Sequence, residues 1–444
     1  MKVINHFKNK KKEFLIAFFI FAGLLVRLFY APQFVVESGD IRLYADWGEK
    51  LIIYKPINFY NYPAWIYAPP NYPPLLSLIY GVAFWMYERK YYLAQLHNLI
   101  RIPPAIIIKF FYTHGYFVLL KLPGILADLG VSLLIYKFIL EISKKTKTAT
   151  LGLLFYLFNP VSIFLSSVWG QTDSLIAFMG LLSFYALYRG KIVLSLPLLF
   201  TSLYIKPNWG VFIPLYIFLL IVAKPKLGKL ITGALLIFLI FITTTAIFSR
   251  DIMDFSYWLF TQRILPTATI AHKASISAFN LYTVFLRMDF HPDNILLLGA
   301  IPLNIFGYAS FVLVNIIVII FLSRRKLKLE NLIFSLFIIG FGAYLFLTNM
   351  LERYFFAAFI PMIILMFSRP KLFVYGVLIN IAVFANVFYA FFRRSKQVLA
   401  ELFASLNFLP VRLFSAMNVL SFFLFLRSYG FSLKESFLLK LKRG

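Results

Sequence analysis

The chain has 444 residues, of which 61% are hydrophobic and 19% aromatic, and its formal net charge is +27. The mean hydropathy of +0.83 lies far outside the range of globular proteins, so the composition excludes a series of soluble domains. The basic residues stand in short clusters between apolar runs, where they orient helices and meet the headgroups of membrane lipids, so the charge does not indicate nucleic-acid binding. The composition therefore predicts an all-α polytopic membrane protein whose single domain covers residues 1–444.

The chain begins with the Lys-rich segment MKVINHFKNKKKEF, and the apolar run that follows is long enough to cross a bilayer. No small-residue cleavage site follows this run, so we expect an anchor helix over residues 14–36 with its basic start in the cytoplasm. A first outer loop then covers residues 37–115. Within it, the apolar segment 72–87 is too short for a span, and we expect it to form an interfacial helix on the outer face.

Further apolar runs after residue 115 predict the remaining spans. Basic clusters such as KKTK (144–147) and SRRKLK (323–328) fall on the cytoplasmic side of this arrangement, and a second large outer loop covers residues 249–295. About twelve transmembrane helices result, with both termini in the cytoplasm, while RRSK (393–396) lies outside against the positive-inside rule. After the anchor helix, the predicted spans are 116–140, 149–168, 174–188, 191–205, 209–223, 230–248, 296–322, 331–348, 354–368, 373–392 and 409–428.

Most of the 17 Asp and Glu residues lie on the outer side in this arrangement. Acidic residues contribute little to topology, so the skew indicates chemistry at the outer face. Asp128 falls inside a predicted span instead. A lone carboxylate in hydrocarbon is costly, so we expect Asp128 to have a partner in a hydrogen bond between helices.

The segment GDIRLYADW (39–47) follows the first predicted span and places Asp40 and Tyr44 one helical turn apart. A carboxylate at the boundary between membrane and water can take a proton from a sugar hydroxyl while it stays hydrated enough to be ionised. The alternative is an ordinary polar loop in which Trp47 anchors the chain at the interface.

A second polar island, WGQTDS (169–174), stands between long apolar runs, and Asn159-Pro160 precedes it in mid-span. Proline inside a helix frees a backbone carbonyl, so we expect a kink that steers this helix end toward a cavity. Asp173 is then either a cap of the next helix or a site carboxylate that holds a sugar, with Gln171 beside it.

Two cationic residues at the outer face are candidates for binding a phosphate. Arg353 in LERYFF (351–356), with Glu352 beside it, can fork onto a phosphate or snorkel at the interface. Lys206 in the short turn YIKPNWG (204–210) can bind a phosphate as a point charge or anchor its hairpin. Asn280, in the second large outer loop, is a candidate for contact with a substrate.

The sequence shows no pattern typical of metal or nucleotide binding. The five histidines have no metal-ligand spacing and the chain has no cysteine, so no metal site is predicted. A Walker loop, a Rossmann glycine pattern and a Gly-x-Ser-x-Gly turn are all missing from the sequence, so a nucleotide-linked donor has no recognisable binding element.

The motifs between residues 37 and 360 resemble the GT-C superfamily of membrane glycosyltransferases, with the closest likeness to prokaryotic relatives of the second mannosyltransferase of glycosylphosphatidylinositol anchor assembly. In chain order these motifs are GDIRLYADW, YPPLLSLIY, KLPGILADLG, NPVSIFLSSVWGQTDSL, YIKPNWG, ISAFNLYTVF and LERYFF. One departure is visible, because Lys206-Pro207-Asn208 stands where the family often has Lys-Pro-Gln. The resemblance implies a GT-C-like fold without cofactor or metal, a polyprenyl-phosphate sugar as donor, a glycolipid or glycan as acceptor, and inversion at the anomeric carbon. It places the active site on the outer face of a prokaryotic cell membrane.

The resemblance also implies roles for individual residues. The carboxylate of the first outer loop is the catalytic base in that family, which corresponds to Asp40, while Arg353 and Lys206 bind the donor phosphate. The residues expected to position substrate are Tyr44, Gln171, Asp173, Asn280 and Glu352. The expected reaction is transfer of a single hexose, and we expect mannose.

Two alternatives stay open at the level of sequence. A flippase or other transporter of lipid-linked oligosaccharides is also large, basic and all-helical, but it is expected to show polar residues near mid-bilayer and repeat symmetry. Carboxylates gathered at one face favour an enzyme. A protein O-glycosyltransferase or a polysaccharide polymerase differs from our expectation in the acceptor alone.

Overall fold

The structure is a computed structural model that describes residues 2–269 and 271–429. About 78% of it is helical, and the one sheet in these residues is a short antiparallel pair, β1 (Leu296–Leu297) and β2 (Ile301–Pro302). The predicted all-α class is therefore confirmed. The C-terminal LKRG segment, expected in the cytoplasm, lies outside the described residues.

Twenty helical elements follow one another along the described chain, and the last of them is two helices separated by a kink at Ser405–Phe408, where the backbone is not helical. They are α1 (Lys2–Tyr30), α2 (Gly39–Ile53), α3 (Pro56–Phe59), α4 (Pro74–Glu88), α5 (Lys90–Ile100), α6 (Ala105–Ser143), α7 (Thr146–Leu157), α8 (Pro160–Ile163), α9 (Asp173–Tyr188), α10 (Ile192–Ile205), α11 (Ile213–Ala223), α12 (Leu227–Thr245), α13 (Ile252–Leu259), α14 (Leu265–Thr269), α15 (Leu281–Phe285), α16 (Leu303–Ser323), α17 (Leu329–Phe346), α18 (Phe356–Ser368), α19 (Phe373–Phe392) and α20 (Gln397–Tyr429). Short 3₁₀ turns (Pro207–Phe212, Glu352–Phe355 and Pro370–Leu372) and π-helical turns (Phe164–Trp169 and Phe260–Ile264) join some of them.

Within the described residues, seven helices are long and apolar enough to cross a membrane, and an eighth span results if the bent pair Thr146–Leu157 and Pro160–Trp169 counts as one. The chain therefore has the helices of a multi-pass integral membrane protein. Three other apolar helices, α9, α10 and the Pro207–Ala223 segment, are shorter. At 1.5 Å per residue, a helix of about 16 residues reaches roughly 24 Å, less than the ~30 Å hydrocarbon core. The predicted total of twelve spans is not reached by length and composition.

Three predicted boundaries are wrong, and prolines explain them. α1 ends at Tyr30 rather than at residue 36, because Pro32 disfavours helical geometry in the residue before it. α6 begins at Ala105 rather than at residue 116, directly after Pro104. α16 begins at Leu303, after Pro302, because residues 296–302 form the β1–β2 hairpin. Proline is favoured at the start of a helix and disfavoured inside one.

The predicted helix at 72–87 is present as α4, and it packs against α2 and α6. One face of α4 is buried in the protein, including Leu76 and Tyr80. By contrast, α5 buries none of its side chains. In the predicted first outer loop, α4 thus belongs to the protein core, whereas α5 is half-buried along one face that packs against α6 and is exposed elsewhere.

A buried ion pair ties four helices together. Arg27 Nε on α1 lies 2.8 Å from Asp128 Oδ2 on α6, and both side chains are fully buried. Asp128 Oδ1 accepts hydrogen bonds from the hydroxyls of Tyr156 on α7 and Ser174 on α9, each at 2.6 Å. The expectation that Asp128 has a hydrogen-bonding partner across helices is confirmed.

The predicted kink lies at Asn159-Pro160, where α7 and the following helical segment meet at 41°. The Asn159 side chain caps the new segment by accepting from the Val161 backbone N–H at 2.9 Å, and it donates to Asn380 Oδ1 on α19 at 2.9 Å. The Tyr156 carbonyl, which Pro160 leaves without its helical N–H partner, accepts from the Ser162 hydroxyl at 2.7 Å and is thus satisfied inside the protein. The redirected segment leads into WGQTDS, whose Asp173 lines the cavity described next.

Candidate functional site

A cavity of about 540 Å³ lies where the start of α2 meets the start of α9, the turn at Pro207–Phe212, α17 and the segment that leads into α18. Its polar lining includes Asp40, Tyr44, Tyr72, Asp173, Asn208 and Arg353. Its apolar lining includes Ile176, Val211, Ala343, Leu347, Phe356 and Ala357. A space with converging charges at one side and aliphatic helix faces at the other suits an amphipathic ligand.

Asp40 is placed by the N-terminus of α2. Ser38 caps this helix, since its hydroxyl oxygen accepts from the Ile41 backbone N–H at 3.3 Å while the hydroxyl donates to the Trp169 carbonyl at 2.8 Å. Asp40 lies in the first helical turn, where the helix dipole favours a negative charge. Its side chain is 31% exposed, so the carboxylate is accessible from the cavity.

The WGQ turn holds the Asp40 carboxylate from the opposite wall. Asp40 Oδ2 accepts from Trp169 Nε1 at 3.0 Å and from Gln171 Nε2 at 2.5 Å. Gly170 between these two residues has φ +82°, and a Cβ there would lie 2.7 Å from Ile41 Cδ1. Glycine is required here both for the backbone conformation and for the close approach to α2.

Arg353 lies beside Asp40 on the Glu352–Phe355 turn. Its NH1 is 3.7 Å from Asp40 Oδ2 and 2.9 Å from Glu352 Oε1, and the guanidinium carbon lies 5.7 Å from the centre of the Trp169 ring. Arg353 Nε is buried without a hydrogen-bond partner, and NH2 makes no hydrogen bond either within the described residues. Burial alone would lower the pKa of Arg353, but Asp40 and Glu352 outweigh it and raise that pKa, so the side chain is a fixed cation with an open donor.

A second charge pair joins α9 to the turn after α10. Lys206 Nζ lies 3.6 Å from Asp173 Oδ2, and Asn208 Nδ2 lies 3.5 Å from Asp173 Oδ1. Lys206 is 2% exposed, and its Nζ finds no hydrogen-bond partner within the part of the chain described. Lys206 is therefore buried behind the cavity wall rather than anchored at a surface, and Asp173 neutralises it.

A layer of tyrosines lines the cavity beside these two charge pairs. Tyr44 stacks on Tyr80 with ring centres 4.6 Å apart, and its hydroxyl lies 3.4 Å from Gln171 Oε1. Burial is the main cause that raises the pKa of Tyr72 to about 12; nearby Asp40 raises it further and Arg353 opposes the rise. Tyr72 is thus a neutral hydroxyl at neutral pH. Tyr72 is not among the residues predicted from the sequence, although its position in NYPP within the predicted first outer loop was a signal.

Asn280 and Glu352, both expected to position substrate, lie outside the cavity lining. Asn280 caps α15, where its side-chain oxygen accepts from the Tyr282 backbone N–H at 3.2 Å and its own N–H donates to the Thr283 hydroxyl at 2.9 Å. Glu352 is 2% exposed and binds Arg353 from behind. The structure therefore brings Asp40, Tyr44, Gln171, Asp173 and Arg353 together and leaves Asn280 apart.

Comparison with known proteins gives no further support. No family model matches the chain, and no curated protein matches it significantly. No cluster of three or more His, Asp or Glu side chains suited to a metal ion occurs in residues 13–267 and 271–429. Functional inference rests on the residues and their geometry.

Proposed function

We propose that the protein is an inverting membrane glycosyltransferase that moves a single hexose, expected to be mannose, from a polyprenyl-phosphate sugar to a lipid-linked or glycan acceptor. The observation that carries the proposal is the pairing of an accessible carboxylate, Asp40, with a buried arginine that keeps an open donor, Arg353, in one cavity. The resemblance of the sequence to the GT-C superfamily points to the same two residues.

The cavity suits a donor with a phosphate head and an isoprenoid tail. Arg353 lines the cavity and its NH2 makes no hydrogen bond within the described residues, so this group can donate to a phosphate oxygen. Guanidinium groups bind phosphate more directionally than ammonium groups do. The aliphatic wall, which includes Val211 on the turn after α10 and Ala343 on α17, offers a surface to the first isoprene units. A donor anchored in the bilayer needs no nucleotide-binding fold.

The proposed reaction is a single displacement. Asp40 takes the proton of the acceptor hydroxyl as its oxygen bonds to the anomeric carbon. The bond from that carbon to the phosphate oxygen breaks, and its electron pair leaves with the lipid phosphate. Arg353 stabilises the charge that grows on this phosphate. Trp169 and Gln171 hold Asp40 in place through their hydrogen bonds to Oδ2.

We assign Asp173 and Asn208 to sugar hydroxyls. The carboxylate accepts hydrogen bonds and the amide donates them, and the 3.5 Å separation between Asn208 Nδ2 and Asp173 Oδ1 leaves both groups capacity for a further bond. Lys206 was expected at the donor phosphate, but its charge is already balanced by Asp173. Arg353 is thus the principal phosphate ligand in this proposal.

The cavity is proposed to open at the outer membrane face. α1 has a Lys-rich start, and its candidate span Glu13–Tyr30 ends shortly before Ser38 and Asp40. A helix of this length separates its ends by about 27 Å. With the basic end in the cytoplasm, the positive-inside rule places Asp40 at the outer boundary.

Binding of polyprenyl phosphate tests the donor site. We expect Arg353→Ala to weaken binding of radiolabelled polyprenyl phosphate to the purified protein by roughly 10- to 100-fold, since a hydrogen bond to a charged group is worth about 1.5–3 kcal/mol. The matched control is Arg393→Ala, because Arg393 forms a similar ion pair with Asp289 at 3.6 Å away from the cavity lining. Equal affinity of the two variants would remove Arg353 from the phosphate site.

Transfer assays with a panel of polyprenyl-phosphate sugars (mannose, glucose, arabinose) decide between enzyme and transporter. We expect a hexose to pass from one of these donors into lipid or glycan fractions. Absence of transfer from every donor, together with movement of lipid-linked oligosaccharide across proteoliposomes that contain the folded protein, would support the transporter instead.

A further inference from the structure

The second large outer loop reaches the candidate site through one hydroxyl. Ser277 is 3% exposed, and its hydroxyl donates to Glu352 Oε2. The other oxygen of the same carboxylate, Oε1, accepts from Arg353 NH1 at 2.9 Å. Glu352 therefore stands between a loop residue and the proposed phosphate ligand, with one oxygen committed to each.

The loop around Ser277 is held by polar side chains of α17, α19 and α20. Asn386 on α19 donates to the Ser277 carbonyl at 2.6 Å, and its side-chain oxygen accepts from the Phe279 N–H at 3.0 Å and from the Tyr344 hydroxyl at 2.7 Å. Asn418 on α20 donates to the Phe279 carbonyl at 2.9 Å. Polar residues buried in apolar helices are costly. Here they fix the backbone from which the Ser277 hydroxyl is presented.

The same loop is also attached to the segment that leads to Arg353. The backbone N–H groups of Ile276 and Ser277 donate to the Met350 carbonyl at 3.3 and 3.2 Å. Lys273 N–H donates to Asn349 Oδ1 at 2.7 Å. The loop and the segment thus form one hydrogen-bonded unit, so a substitution at Ser277 acts directly on Glu352.

We propose that Ser277 is a positioning residue that acts through Glu352 to keep Arg353 open for the donor phosphate. The proposal rests on the function proposed above. A carboxylate can bind a guanidinium through two parallel hydrogen bonds, and such a fork uses two of its N–H groups. Because Ser277 holds Oε2, Glu352 engages Arg353 through NH1 alone, and NH2, the group that can share a fork with NH1, makes no hydrogen bond among the described residues. Without the hydroxyl, the carboxylate is free to rotate into the fork and occupy the donor that the phosphate needs.

The chain offers a matched control in the same loop. Ser275 is also 3% exposed, but its hydroxyl donates to the Ala278 carbonyl at 2.8 Å and does not contact Glu352. Ser275→Ala and Ser277→Ala each delete one buried hydroxyl two positions apart. A purely structural role of these hydroxyls predicts similar losses in both variants.

The test measures the affinity of the purified full-length protein for radiolabelled polyprenyl phosphate. We expect Ser277→Ala to raise the Kd about tenfold, and Ser275→Ala and the hydroxyl-preserving Ser277→Thr to stay within about twofold of wild type. In transfer assays the KM for the donor should rise in Ser277→Ala while the KM for the acceptor is unchanged. If Ser277→Ala does not fold, Ser277→Cys replaces it, because a thiol is a weak donor of similar size.

Arg353→Ala in the same assay separates the two proposals. If Arg353→Ala binds polyprenyl phosphate more weakly than wild type while Ser277→Ala and Ser275→Ala bind it with equal affinity, the role of Ser277 is overturned and the proposed phosphate site is retained. An Arg353→Ala variant with wild-type affinity overturns both.

Discussion

The buried pair of Arg27 and Asp128 leads to a prediction about stability. We expect Asp128→Asn to lower the free energy of unfolding by about 3–5 kcal/mol, because removing one partner of a buried ion pair leaves the other charge uncompensated. Both side chains are fully buried, so solvent does not screen this loss. Asp128 also accepts from Tyr156 and Ser174 at 2.6 Å, and an asparagine amide group facing either hydroxyl would lose an acceptor.

The measurement is unfolding by SDS in mixed micelles, followed by circular dichroism. A matched control is Glu330→Gln, which breaks the pair with Arg369, whose side chain is 57% exposed. We expect a loss of at most about 1 kcal/mol there. The double variant Arg27→Met with Asp128→Leu should recover most of the loss of Asp128→Asn, since an apolar replacement leaves no unpaired charge. If Asp128→Asn is no less stable than Glu330→Gln, the reasoning about this pair is refuted.

Two further predictions concern the cavity. Trp169→Phe removes the 3.0 Å hydrogen bond to Asp40 but keeps an aromatic ring near Arg353. We therefore expect turnover to fall about tenfold while the affinity for polyprenyl phosphate is unchanged. Steady-state transfer and binding assays measure both quantities, and turnover at the wild-type rate would contradict this prediction. The pKa of Tyr72, raised to about 12 mainly by burial, returns to about 10 on unfolding, so its contribution to stability is present below pH 10 and is lost as the pH rises from 10 to 12. When the free energy of unfolding is measured at a series of pH values from 10 to 12, Tyr72→Phe should therefore lose less stability than wild type. Equal slopes of the free energy of unfolding against pH in the two proteins would rule out this effect.

The features that the sequence predicts well are those with a local physical cause. Asn159-Pro160 must break a helix wherever it lies in a span, and the 41° bend is found there. A carboxylate in an apolar segment needs a partner, and Asp128 has Arg27. The pattern indicated polar positions at the outer ends of helices, and Asp40 and Arg353 do line one cavity, with Gln171 hydrogen-bonded to Asp40.

The features that depend on tertiary packing could not be predicted. Ser277 looks like any loop serine until the fold places it against Glu352, 75 positions away in the chain. Tyr72 and Trp169 are ordinary aromatic residues of a membrane protein until the fold places Tyr72 in the cavity lining and Trp169 in hydrogen-bond contact with Asp40. Asn280 stood in a suggestive motif, but the local demand of a helix cap accounts for its side chain.

Lys206 shows why charge alone is an ambiguous signal. The sequence placed a cation in a short turn, which suits either a lipid phosphate or an interfacial anchor. The structure places it in a buried pair with Asp173, a residue 33 positions earlier in the chain. The distance between Lys206 Nζ and the Asp173 carboxylate is what shows that this lysine belongs to a neutral pair and is not a free cationic site.

The central claim is that Asp40 is the base, and single-turnover transfer by Asp40→Asn tests it most directly. Asparagine keeps the size of the side chain and an oxygen that accepts from Trp169 and Gln171, but it cannot take a proton at neutral pH. The matched control is Asp46→Asn on the same helix, because Asp46 binds Lys50 and the Ile66 N–H instead of lining the cavity. The account predicts that Asp40→Asn transfers at least about 100-fold more slowly with unchanged donor affinity, while Asp46→Asn retains transfer. Transfer by Asp40→Asn at the wild-type rate would contradict it.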